Sequence, residues 1–112
     1  MSIKLSVEDV EALQGSYSSL INYQSDDPLS PIDPASYVDS NGDSLLHIAV
    51  QEGDLDSVEI MIRAGFDVNS LGDMDNTPLH YAYDIKNSQL IEMLKAAGAK
   101  GDVRNAFGKV PG

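Results

Sequence analysis

The two histidines are the residues of this sequence whose type best suits acid–base or metal chemistry. His47 and His80 lie 33 positions apart, and the sequence contains no other histidine. A catalytic or metal-binding pair requires both imidazoles to converge on one point. The residues around the two histidines are themselves alike, so the side chains should occupy equivalent places in a repeated unit and point the same way. This spacing therefore predicts neither a metal site nor a catalytic pair.

An acidic run just before His47 resembles the opening of a calcium-binding loop. Asp39, Asn41 and Asp43 have the alternating spacing of the first ligands in such a loop. The position that requires glycine holds Ser44, however, and the twelfth position, which requires glutamate, holds Val50. We therefore interpret the run as a turn with capping carboxylates.

Other patterns that carry chemistry are missing from the sequence. It has no cysteine, which excludes disulfides and thiolate metal ligands. It also has no glycine-rich phosphate loop and no nucleophile elbow. We therefore predict no catalytic residue, no cofactor and no metal, and a protein that is not an enzyme.

The elements that position these residues are indicated by an internal repeat. Each member of a set of residues recurs 33 positions later: Leu46 as Leu79, His47 as His80, Ala49 as Ala82 and Gly65 as Gly98. A fixed period in this range is typical of stacked supersecondary units. The sequence therefore predicts at least two copies of one helical unit.

Local sequence signals give the plan of that unit. Thr77-Pro78 reads as a helix N-cap followed by proline in the first turn, where the missing N–H costs nothing. The matching helix of the first copy is predicted from about Ser44 to Gln51. An amphipathic second helix follows from Leu55 and is closed by Gly65, and its counterpart is predicted over 87–97.

These residues carry a family resemblance. Asp39-x-x-Gly42-x-Ser44-Leu45-Leu46-His47-x-Ala49 resembles the opening of one ankyrin repeat, Asn76-Thr77-Pro78-Leu79-His80-Tyr81-Ala82 resembles a second, and 105–111 resembles the start of a third. The resemblance implies an all-α ankyrin solenoid of about two full helix-turn-helix repeats, 39–71 and 72–104, plus a partial third at 105–112. It also implies that the recurring histidine is a structural hydrogen-bonding residue.

The segment 1–38 must supply a cap, because two full repeats bury too little surface to stand alone. Ser6-Val7-Glu8-Asp9 is a plausible helix start, and we predict one or two helices between Val7 and Gln24. Prolines at 28, 31 and 34 then predict an extended, polyproline-like connector. A proline-motif ligand is the alternative interpretation of this stretch.

Charge is distributed unevenly along the chain. The net charge is -11, and twelve acidic residues but only one basic residue precede Arg63. Such a field attracts basic surfaces and disfavours nucleic acid and anionic lipid, so we predict a basic protein partner and neither nucleic acid nor membrane. The alternative is that the acidity serves solubility alone. With no secretory signal and no apolar run of membrane-spanning length, we expect a cytoplasmic protein.

The resemblance also implies where a partner would be held. Repeats of this kind bind proteins through the hairpin fingers and the exposed ends of their first helices. In this sequence those positions are Asn41, Asp43, Gln51, Glu52, Asp73, Met74, Asn76, Tyr81, Asp84, Ile85 and Phe107. For Tyr81, packing between repeats is the alternative role.

Two functional hypotheses follow from the resemblance and the acidity. Small bacterial ankyrin proteins of this kind often resemble immunity proteins, so the first hypothesis is a binding module that neutralises a basic toxin or effector. The second is a structural or regulatory adaptor, a monomer or a weak self-associator that uses the end of the stack from Phe107 to Gly112.

Overall fold

The computed structural model describes residues 3–112, and the predictions that touch Met1 and Ser2 lie outside that range. The described residues form five α-helices and one 3-10 turn: α1 (Val7–Ser16), α2 (Leu45–Gln51), α3 (Leu55–Ala64), the turn Asp73–Asp75, α4 (Pro78–Asp84) and α5 (Ser88–Ala96). Helices α2 and α3 form one antiparallel unit, and α4 and α5 form the next. The predicted all-α repeat fold is confirmed.

The first helix of each unit begins with the same reciprocal cap. Ser44 Oγ accepts a hydrogen bond from the His47 N–H at 3.4 Å, and His47 Nδ1 accepts one from the Ser44 N–H at 3.1 Å. Thr77 and His80 repeat this arrangement at the start of α4. The histidines therefore complete helix caps, as the resemblance implied.

The far nitrogen of each histidine ties its helix to the next finger. His47 Nε2 lies 3.0 Å from the Ser70 carbonyl and 3.1 Å from the Asn76 carbonyl. His80 Nε2 lies 2.8 Å from the Lys109 carbonyl. Because Nε2 faces only acceptors, it carries the proton, and each imidazole is a fixed link between consecutive repeats.

The core runs along the interface of the two repeats. Apolar side chains from all five helices are fully buried in it: Leu13, Leu45, Leu46, Ala49, Val50, Val58, Met61, Leu79, Ala82, Leu90 and Leu94. Helices α2 and α4 stack side by side, as do α3 and α5. This stacking sets the fingers at regular intervals along one side.

Helix α1 caps the stack by lying antiparallel to α3. The Lys4 N–H donates to the Ala64 carbonyl at 2.8 Å, at the end of α3. The Tyr17 hydroxyl donates to Asp54 Oδ2 at 2.8 Å, at the start of α3. The cap holds one helix, since from Tyr17 onward the chain runs through turns.

The prediction of an extended polyproline connector is wrong. The chain turns at 23–24, 28–29 and 34–36. The buried side chain of Asn22 holds the first two bends, because its Nδ2 donates to the Pro31 carbonyl at 2.9 Å and to Ser30 Oγ at 3.2 Å. Asp33 closes the third, where its carbonyl accepts from the Ser36 N–H at 3.2 Å. Local hydrogen bonds of this kind override the extended preference of the prolines.

No helix within residues 3–112 has the length and apolar character required to cross a membrane.

Candidate protein-binding surface

Three fingers project from the stack, and each is closed by the same backbone hydrogen bond. Finger 1 (39–43), finger 2 (72–76) and finger 3 (105–109) have the N–H of their first residue donating to the carbonyl of their last. The distances are 2.9, 2.8 and 2.9 Å. The fingers therefore share one frame, and their differences lie in the side chains at the tips.

Fingers 1 and 3 are held by a side chain at their first position. Asp39 Oδ1 accepts from the N–H groups of Asn41 and Asp43, both at 2.9 Å. Asn105 Oδ1 accepts from the N–H groups of Phe107 and Lys109 at 2.9 and 3.0 Å. These Asx turns bear out the interpretation of the acidic run as a turn. Within residues 3–112 no group of His, Asp and Glu side chains is arranged to hold a metal ion.

Finger 2 has a different construction. Its first residue is Gly72, where a Cβ would collide with the Asp43 carboxylate and the His47 ring. Its tip has two non-glycine residues in the left-handed region, Met74 at φ 52° and Asp75 at φ 60°. Each costs on the order of 1–2 kcal/mol. Met74, at this strained tip, has 55% of its surface exposed.

Asp43 is the hub of a buried network. Its Oδ1 accepts from the Tyr81 hydroxyl and from the Asp73 N–H, both at 2.8 Å, and its Oδ2 lies 3.4 Å from Gln51 Nε2. Asp43 is 5% exposed and Tyr81 is 9% exposed. Burial and the hydrogen bond to Asp43 raise the pKa of Tyr81 above its usual range, so it remains a donor.

Two predicted contact residues are therefore internal. Asp43 and Tyr81 were predicted as contact positions, but their side chains are almost fully buried and occupied by the hydrogen bonds of this network. For Tyr81, the structure matches the alternative of packing between repeats. Tyr81 also meets His47 edge to face, with ring centroids 5.7 Å apart, and burial lowers the pKa of that histidine.

The other predicted contact residues lie on the outside or at its margin. Seven are exposed: Asn41, Gln51, Glu52, Met74, Asp84, Ile85 and Phe107. Asp73 is half-buried, as is Asn76, whose Oδ1 accepts from Asn105 Nδ2 at 2.9 Å.

The tips of fingers 2 and 3 are joined by a backbone hydrogen bond, and exposed apolar residues lie at these tips and at the end of α4. The Ala106 N–H donates to the Met74 carbonyl at 2.8 Å. Phe107, the next residue, is 69% exposed, and Ile85, at the end of α4, is 41% exposed. We call Met74, Ile85 and Phe107 the apolar tip. Solvent-exposed aromatic and Met side chains of this kind are typical of binding surfaces.

One exposed residue of this surface was not predicted. Asp75 lies at the tip of finger 2, where fingers 1 and 3 have Gly42 and Gly108. The departure from glycine was visible in the sequence, and it adds a carboxylate directly beside Met74.

Comparison with known proteins gives the family. A family model described as "Ankyrin repeats (3 copies)" matches residues 10–105. Over 70 residues the chain is 37% identical to BRCA1-associated RING domain protein 1 of Caenorhabditis elegans, covering 62% of this chain and 10% of that protein.

Two further relatives match to different extents. Rabankyrin-5 of Mus musculus is 33% identical over 106 residues, covering 88% of this chain and 9% of the relative. Myotrophin of Xenopus tropicalis is 38% identical over 58 residues, covering 52% and 49%. The chain thus spans between about a tenth and half of the length of these relatives. They come from animals, so the bacterial character stays a prediction.

Proposed function

The chain belongs to the ankyrin-repeat family, and from that premise we propose that it binds a basic protein partner and catalyses no reaction. Ankyrin repeats are in general non-catalytic protein–protein interaction modules. The partner binds to the tips of fingers 2 and 3 and to the exposed ends of α2 and α4.

The apolar tip is the observation that carries this proposal. Three large side chains, two at the tips of fingers 2 and 3 and one at the end of α4, are 41–69% exposed. Residues of this kind form the anchors of an interface when a partner removes them from water. The backbone of finger 2 supports the same conclusion, since two consecutive non-glycine residues in the left-handed region are strained, and such strain clusters at functional sites.

The acidity of the first half of the chain supports a basic partner. Twelve acidic residues but only one basic residue precede Arg63, whereas beside the apolar tip Asp73, Asp75 and Asp84 are offset by Lys86, Arg104 and Lys109. A basic partner would be steered toward the acidic side of the stack, which includes Glu52, with an on-rate raised by about 10–10³ at low ionic strength. A basic toxin or effector, neutralised in the cytoplasm by an immunity protein of this form, is one partner that meets the description.

Site-specific photo-crosslinking in the source organism tests the proposal. A photoreactive residue replaces Met74 in one variant and Val7, which is 75% exposed at the start of α1, in the control. We expect an adduct with a protein of high pI from the Met74 variant and none from the control. An adduct of equal yield from both positions, or an acidic partner at Met74, would reject the proposal.

Self-association is the second candidate, because Phe107 and Val110 are 69% and 40% exposed at the end of the described stack. Sedimentation equilibrium with Phe107→Ala as the comparison distinguishes it. A dimer that dissociates on this substitution supports the adaptor, whereas a monomer at high concentration removes it.

A further inference from the structure

A second concave site lies between the N-terminal cap and the first repeat. It is a cleft of about 320 Å³ lined by Ser16, Tyr17, Ser19, Leu20, Ile48, Glu52 and Asp54. We call it the cap cleft. The residues of 16–20 that line it lie before residue 39, where the first 33-residue repeat begins.

The cap cleft combines apolar walls with two carboxylates. Leu20, from the cap, and Ile48, from α2, are half-buried and supply apolar lining. Glu52 and Asp54, at the junction of α2 and α3, supply the acidic end. No lysine, arginine or histidine is among the lining residues, so neither carboxylate has an internal cation within the cleft.

Asp54 is fixed in place and remains ionised. Its Oδ1 accepts from the Ser57 N–H at 3.2 Å, and its Oδ2 accepts from the Tyr17 hydroxyl at 2.8 Å. Burial acts to raise the pKa of this carboxyl, but the hydrogen bonds from Ser57 and Tyr17 outweigh burial and lower it. An ionised carboxylate with lone pairs to spare is an acceptor ready for an external donor.

We propose that the cap cleft binds an arginine side chain of the basic partner. The inference rests on the proposed function and extends it to a second point of contact. The aliphatic stem of the arginine packs between Leu20 and Ile48, and the guanidinium donates to Glu52 and Asp54. Arginine fits better than lysine because its planar fork can donate to two carboxylates at once.

Glu52 of the cap cleft and Ile85 of the apolar tip hold equivalent places in consecutive repeats. Glu52 follows α2 at the point where Ile85 follows α4, 33 positions later. One partner can therefore contact the apolar tip and reach the cap cleft along the ends of the first helices. The charge of the cleft complements that of an arginine, since the half of the chain that forms the cleft carries twelve acidic residues and one basic residue.

A peptide probe tests the assignment without the natural partner. The probe is N-acetyl-Leu-Arg-Leu-amide, and its controls replace arginine with citrulline, which is neutral and similar in shape, or with lysine. Titration into the isotopically labelled protein is followed by backbone amide chemical shifts. We expect shifts confined to 16–20 and 48–54, with the citrulline peptide at least about tenfold weaker and the lysine peptide about threefold weaker.

Two charge-matched pairs of substitutions complete the test. Glu52→Gln with Asp54→Asn removes the acidic end of the cleft while asparagine preserves the cap of α3. Asp56→Asn with Glu59→Gln changes the net charge equally on exposed positions of α3 that do not line the cleft. We expect the first pair to weaken the arginine peptide about tenfold and the second to change it less than about twofold.

The outcomes separate this inference from the proposed function. Shifts elsewhere, equal binding of the citrulline or lysine peptide, or equal loss in both pairs would overturn the arginine site. Those results would leave crosslinking at Met74 unaffected. Conversely, a missing adduct at Met74 beside a cleft-specific peptide would reject the finger surface alone.

Discussion

Removing the carboxylate of Asp43 should uncouple finger 1, finger 2 and α4. Asp43→Ala leaves the buried Tyr81 hydroxyl and the Asp73 N–H without their acceptor. Tyr81→Phe removes one of these bonds and keeps the ring against His47. The two substitutions and their combination form a double-mutant cycle on one contact.

The expected loss in the free energy of unfolding follows from the number of hydrogen bonds that each substitution removes. A hydrogen bond to a charged group contributes about 1.5–3 kcal/mol, so Tyr81→Phe should cost about 2 kcal/mol. Asp43→Ala leaves one buried donor, the Tyr81 hydroxyl, and one part-buried donor, the Asp73 N–H, without an acceptor and should cost about 3–4 kcal/mol. Because the shared bond is counted in both singles, the double variant should cost about 1.5–2 kcal/mol less than their sum.

Urea unfolding followed by circular dichroism measures the cycle. With a denaturant dependence of about 2 kcal/mol/M, Tyr81→Phe should lower the midpoint by about 1 M. The control is Tyr23→Phe, because Tyr23 is 51% exposed, and it should change stability by less than about 0.5 kcal/mol. Additive costs for the two substitutions, or a cost for Tyr81→Phe equal to that of the control, would refute the buried network.

Three further predictions concern stability and are checked by the same unfolding measurement. Lys86 has φ 55° where the first repeat has Gly53 at φ 70°, so Lys86→Gly should raise the free energy of unfolding by up to about 1 kcal/mol while Gly53→Ala lowers it. Lower stability of Lys86→Gly would contradict this. Gly72→Ala should destabilise the fold, because the added Cβ meets the side chains of Asp43 and His47. Wild-type stability for this variant would be inconsistent with the packing of finger 2. Burial lowers the pKa of His47 in the folded protein, so as the pH falls the unfolded chain binds a proton before the folded protein does. The free energy of unfolding should therefore be unaffected by this histidine above about pH 6.5 and should fall as the pH drops toward the folded-state pKa. His47→Gln should remove this fall, and an unchanged pH dependence would contradict the assignment.

Much of the fold could be predicted from the repeat. The 33-residue period and the Ser44 and Thr77 caps determine where α2 and α4 begin, because capping is local chemistry between residues three apart. The structural role of the histidines was implied by the family resemblance. The resemblance also implied the contact positions, of which Met74 and Phe107 are exposed.

The residues that could not be predicted depend on contacts between distant segments. Asp43 and Tyr81 are 38 positions apart, and only the stacking of α4 on finger 1 brings them together. The path of 22–36 depends on the side-chain hydrogen bonds of Asn22 and Asp33, which no periodic pattern marks. The cap cleft arises where 16–20 meets α2, a long-range contact with no periodic pattern.

The affinity of the crosslinked partner for a matched set of variants tests the proposed function most directly. Met74→Ala and Phe107→Ala each remove a side chain of the apolar tip, whereas Val7→Ala removes an exposed side chain of α1. Calorimetric titration should give dissociation constants raised at least about tenfold for the first two and unchanged for the third, with all affinities falling as salt is raised. Equal affinities for all three variants, or binding insensitive to salt, would contradict a basic partner held at the fingers.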